Sequence, residues 1–155
     1  MGCTVQLMPD PRYVVSDQEM IQKIRLIDDL ERTDQGGRTL LHNASFYGRR
    51  TVVQHLIALG ANLHAQDKSG FTPLHCAVQG GHTEILQDLI LSGADVSAVN
   101  HLGNNSLMLC THRTSEELFR LLLEHGCDPR WENNAGVSPL RKFAAYPRIM
   151  GLLSK

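Results

Sequence analysis

The chain has 155 residues, 42% of them apolar and 20% charged, with a formal net charge of −1. That is enough for one domain with a sizeable core, and the near-neutral balance, with no Lys/Arg block, argues against nucleic acid as a partner. Apolar runs stop at three or four residues, as at Leu121 to Leu123, and no secretory pattern of basic start and apolar stretch is read, so a cytosolic or nuclear protein is expected.

Residues 1–15 read as a flexible arm carrying Pro9 and Pro11. Met1-Gly2-Cys3 resembles the start of proteins that are myristoylated and palmitoylated, although Gln6 stands where Ser or Thr is usual. The resemblance implies lipidation at Gly2 and Cys3, and contact with a membrane only through it. Next comes Ser16-Asp17-Gln18-Glu19, a capping box. It predicts a helix to about Arg32 with Met20, Ile24, Ile27 and Leu30 on one side and Ile21 and Leu26 widening that face. Residues 16–33 are expected to form an N-terminal cap or a degenerate repeat.

The rest of the chain is periodic. Gly37, Gly70, Gly103 and Gly136 are 33 residues apart, and Thr39, Thr72, Asn105 and Ser138 follow two residues after each. Leu41, Leu74, Leu107 and Leu140 keep the same register, and Asp34, Asp67, Asn100 and Asn133 open each unit. Self-similarity at such a period marks stacked supersecondary units. Each unit reads as two helices and an extended turn. Thr72 caps the first helix with Pro73 at its first position, where a missing N–H costs nothing, and Gly81 ends it. Ile85, Leu86, Leu89 and Ile90 form the apolar stripe of the second helix, which Gly93 closes.

The segment FTPLHCAVQGGH, followed by Leu89-Ile90 and Gly93-Ala94-Asp95, resembles the ankyrin repeat. The resemblance covers about residues 34–155 and implies an all-α solenoid of stacked helix-turn-helix units with extended β-turn or hairpin connections. Expected units are 34–66, 67–99, a divergent 100–132, and a truncated 133–155 serving as C-terminal cap. In the third, Asn105-Ser106-Leu107-Met108 replaces the signature and Thr114 replaces the inter-helix glycine; the fourth meets Pro147. Ile149, Leu152 and Leu153 should cover the third unit, with Gly151 weakening that end.

A search for chemistry finds little. His42 and His75 are one unit apart on packed helices, about 8–10 Å from each other, too far for two zinc ligands with bonds of about 2 Å. By the resemblance, this histidine serves hydrogen bonding near the capping Thr. Cys110-Thr111-His112 is a lone Cys/His pair, and no phosphate loop, Gly-x-Ser-x-Gly or His-Glu-x-x-His occurs. Cys110 and Cys127 replace small alanines of the other units, Ala44/Ala77 and Ala61/Ala94, as reduced buried thiols do. The expectation is a non-enzyme with no cofactor and no metal.

In ankyrin-type proteins, partners contact the turn tips and the outward side of each first helix. Carried onto this chain, that implies a strip of Arg38, Phe46, Tyr47, Lys68, Phe71, Gln79, His101, Asn104, His112, Arg113 and Tyr146, with Gln35, Gly80, Leu102, Asn134, Val137 and Ala145 beside them. Leu41 and Ala44 face inward, so Phe46 and Tyr47 cannot both be buried on that side, and exposed neighbouring aromatics suggest contact. A packing role for Phe46, Tyr47 and Phe71 stays open, as do anchor and lid for Trp131. The strip holds Arg38, Lys68 and Arg113 and no carboxylate, which fits an acidic segment with an apolar anchor. Glu84, Asp88, Glu116, Glu117 and Glu124 read as a solvated flank. The expected function is an adaptor or inhibitor that binds protein and is monomeric on its own. The alternatives are a membrane-tethered scaffold and a regulatory subunit of an enzyme complex.

Overall fold

The computed structural model describes residues 16–153. Nine helices are found there and no strand: α1 Asp17–Ile24, α2 Leu40–Phe46, α3 Arg50–Ala58, α4 Pro73–Gly80, α5 Thr83–Leu91, α6 Ser106–Leu109, α7 Glu116–Glu124, α8 Pro139–Lys142 and α9 Pro147–Leu153. First helices α2, α4, α6 and α8 stack in one row, and α1, α3, α5, α7 and α9 in the other. The core runs between the rows as one continuous band that includes Leu41, Leu56, Leu74, Leu89, Leu107, Leu122 and Leu153.

The capping box at Ser16 forms, but α1 ends at Ile24, short of the expected Arg32. The Leu26 and Ile27 N–H groups fold back onto the Lys23 and Ile24 carbonyls, and Asp29 Oδ1 accepts the Glu31 N–H at 2.9 Å. Short polar side chains that bond nearby backbone compete with helix in this way. Leu26 is therefore 83% exposed and leaves the apolar face it was expected to widen. Ile27 and Leu30 still reach the core from the irregular segment.

At each turn tip the opening Asp or Asn folds the chain over its own side chain. Oδ1 of Asp34, Asp67, Asn100 and Asn133 accepts the N–H groups two and four residues on, at 2.8–3.0 Å. Successive tips are then tied by backbone bonds: Lys68 N to Gly36 O at 3.0 Å, His101 N to Ser69 O at 3.0 Å and Asn134 N to Leu102 O at 3.1 Å.

The middle of the stack is held by buried imidazoles. The Thr72 N–H donates to His75 Nδ1 at 3.1 Å, which leaves the Nε2–H to donate to the Ala98 carbonyl at 3.1 Å. His42 repeats the arrangement with Thr39 and reaches the Phe71 carbonyl at 2.9 Å. Both rings are fully buried, and burial pulls the pKa down in each, to about 4 in His75. They are neutral structural parts.

The third helix pair departs from this plan. Helix α4 has eight residues and α6 four. A Cβ at Gly80 would lie 2.5 Å from the Phe46 carbonyl oxygen, and Gly81 has φ +73°, a left-handed backbone that favours glycine. Arg113 and Thr114 occupy the corresponding positions, so the chain leaves the helix early, at an extended Cys110. Lys142 from α8 closes the open end, its Nζ donating to the Cys110 carbonyl at 2.8 Å and to that of Met108. A cation at a helix C-terminus meets both the free carbonyls and the dipole.

Candidate functional site

The expected strip divides into three groups. Near the N-terminal end the Arg38 guanidinium lies 5.9 Å from the Phe46 ring centroid, and Phe46 meets Tyr47 edge-on at 5.2 Å. Phe46 is half-buried and Tyr47 is 46% exposed, so one ring supports and the other presents. At the C-terminal end His112 stacks parallel on Tyr146 at 5.6 Å, with both side chains and Arg113 exposed. Between them lie exposed Lys68, Gln79 and His101, with half-buried Phe71 and Asn104.

Some of these residues are structural. Phe71 sits edge-on to His75 at 5.9 Å. Asn104 Oδ1 accepts from Asn133 Nδ2 at 2.7 Å, and the His101 carbonyl accepts from Asn134 Nδ2 at 3.0 Å. Arg38 donates to Asp67 Oδ2 at 3.3 Å. A buried carboxylate, Asp67 on the next tip, thus lies beneath the strip, although none of the strip's own residues carries one. Burial works against ionising Asp67, yet the N–H groups of Phe71 and Ser69 and the Arg38 guanidinium hold its pKa below the usual value. Arg38 is thus paired internally, and Lys68 and Arg113 are the exposed cations of the strip.

The flank read as merely solvated also has a structural part. Arg50 bonds Asp88 at 2.8 and 3.1 Å and Glu84 at 3.0 Å, and Arg148 pairs with Glu116. These pairs join successive second-row helices; the more exposed ones, Arg50 to Glu84 and Arg148 to Glu116, contribute little on their own. Arg49 and Thr51 likewise meet Asp17, which fastens α1 to α3. Sequence reasoning missed these links. Their signal was a charge on one second helix with its opposite about one period later.

Trp131 is partly a lid: its Nε1–H donates to the Gly103 carbonyl at 2.9 Å while the ring stays 46% exposed. Cys76, Cys110 and Cys127 are free and buried, and burial pushes their thiols up to about 12, 12 and 11. Such thiols are poor nucleophiles at neutral pH. Among the described residues no group of three or more His, Cys, Asp and Glu side chains could hold a metal ion, and no helix is long and apolar enough to cross a membrane. Gly2 and Cys3 lie outside the described residues.

A family model described as ankyrin repeats matches residues 15–100 and 81–149. The chain belongs to the ankyrin-repeat family. Ankyrin repeats generally mediate protein–protein interaction and are typically non-enzymatic. No curated protein matches the chain. Within the ankyrin stack the match reaches back to α1, which packs in the second-helix row as the trailing half of a unit does.

Proposed function

We propose that this ankyrin stack is a non-enzymatic adaptor or inhibitor, cytoplasmic or nuclear, that holds a protein partner on the strip formed by the turn tips and first helices. The observation that carries the reading is the pair of supported, outward tyrosines at the strip's two ends. Tyr47 is braced by Phe46 and Tyr146 by His112, and they are 46% and 42% exposed. Braced aromatics supply contact area at low cost in ordering, and a rigid stack loses little further freedom on association. With Arg113 beside one end and Lys68 between, the strip favours a segment that combines an apolar anchor with Asp or Glu.

Affinity capture from a cell extract with mass spectrometry tests this, run beside a Tyr47→Ala/Arg113→Glu/Tyr146→Ala variant that melts like the parent. A partner kept by the parent and lost by the variant is the expected result. Capture of the same proteins by both would move the site to the second-helix flank or to residues 1–15.

A further inference from the structure

Neighbouring tips are bridged by side chains as well as backbone, and one bridge is broken. At the first junction Arg38 bonds Asp67, and at the third Asn133 Nδ2 bonds Asn104 Oδ1 at 2.7 Å. Each joins residues 29 apart, a pair whose middle counterpart is Phe71 and Asn100. A phenyl ring cannot accept as Asn104 does. Asn100 is 4% exposed, and its Nδ2 has no hydrogen-bond partner among the described residues. Ser45 Oγ, His55 Nε2 and Ser106 Oγ share that condition but lie on helices; of the four, Asn100 alone belongs to a tip.

A buried amide donor without an acceptor is costly and marks a place where something else completes the bond. Lys68, the cation on this junction, favours a negatively charged acceptor. Lys68 and His101 are exposed on the two tips of this junction, which are tied by the His101 N to Ser69 O bond. A Cβ at Gly70 would lie 2.7 Å from the His101 nitrogen and 3.1 Å from the Asn100 carbonyl carbon, so the tips meet closely here. The Phe71 backbone is pinned by His42 through its carbonyl, whereas its half-buried ring rests edge-on against His75. The ring can therefore change rotamer while the backbone stays anchored.

We propose that the junction of the second and third tips reads a carboxylate of the partner, an Asp or Glu side chain that accepts from Asn100 Nδ2 between Lys68 and His101. It supplies the acceptor that Phe71 withholds, and the displaced Phe71 ring packs against the partner's neighbouring apolar residue. The inference rests on the strip as the binding surface and adds one point of selectivity to it.

The test is NMR titration of the whole chain with a capped Glu-Glu-Leu-Phe peptide and its Gln-Gln-Leu-Phe counterpart, following the Asn100 side-chain amide. The expected result is a saturable shift of that amide with the Glu peptide, and binding about tenfold weaker for the Gln peptide, the scale of one charge-assisted hydrogen bond. Asn100→Asp keeps Oδ1 for the turn, as Asp67 does, and replaces the donor with a negative oxygen. It should keep the parent's helical circular dichroism and lose the preference for Glu. Phe71→Asn should restore the internal bridge and weaken the Glu peptide similarly. Shifts along the strip that spare Asn100, or equal binding of the two peptides, would overturn the junction while leaving the strip as the surface. A Glu peptide that shifts no strip residue overturns both.

Discussion

The second and third helix pairs share a period and a core but not a way of holding themselves together. In the second, Thr72, His75 and Gly80–Gly81 let an eight-residue α4 lie against its neighbour, with its capping bonds made inside the pair. In the third, α6 keeps four residues, the cap falls to Asn105, and Lys142 from the fourth pair closes the end. Met108 and Arg141 stand where the first two pairs carry buried histidines. A pair that makes its own capping bonds leans less on its neighbour than one that borrows them. In a solenoid, where stability is a sum of unit and interface contributions, the C-terminal half should open first.

The largest test of that contrast compares Leu89→Ala with Leu122→Ala, equivalent positions that are both fully buried. Each should cost about 3 kcal/mol. Leu122→Ala should split urea unfolding into two transitions, with α6–α9 lost first, and Leu89→Ala should keep a single transition at a lower midpoint. Hydrogen exchange identifies the helices lost. A single transition in both variants would mean that the two halves are equally coupled.

Next in size is an acid effect confined to the N-terminal half. His75 has its pKa lowered from 6.5 to about 4, and that of His42 is lowered too, so below pH 6.5 the unfolded chain binds protons that the native chain refuses. Stability should therefore fall as pH drops from about 6.5 to about 4, by about 3 kcal/mol for His75. At still lower pH the hydrogen-bonded carboxylates of Asp34, Asp67 and Asp88, whose pKa values are depressed, lose their contribution in turn. Urea midpoints from pH 7 to 4 should slope less in His75→Asn than in the parent, and an unchanged slope would sink the assignment.

The smallest effect has the opposite sign. Gly151 lies within α9, and a Cβ there meets nothing within 4 Å. Gly151→Ala should stabilise the C-terminal end by about 0.5–1 kcal/mol and slow amide exchange in α9 with little change in α4.

Much of this was legible beforehand because it is local or periodic. The period of 33, the capping Ser16 and Thr72, Gly81 and the inward leucines can be read from residue type and spacing, and each is where the reading put it. The candidate site was less legible. Tyr47 and Tyr146 are exposed as a contact residue must be, but Arg38 is tied to Asp67, and nothing in Arg38's own surroundings along the chain announces a partner 29 residues away.

What the sequence determined alone is the repeat, the helix pairs and the membership of one continuous core, since backbone propensity and apolar periodicity act within a few residues. Only the tertiary structure decided that Lys142 closes α6 and that Asn100 is left without an acceptor among the described residues. Those outcomes depend on which side chains of one unit meet the backbone or side chains of the next. That meeting is set by stacking geometry, which a list of residues does not contain.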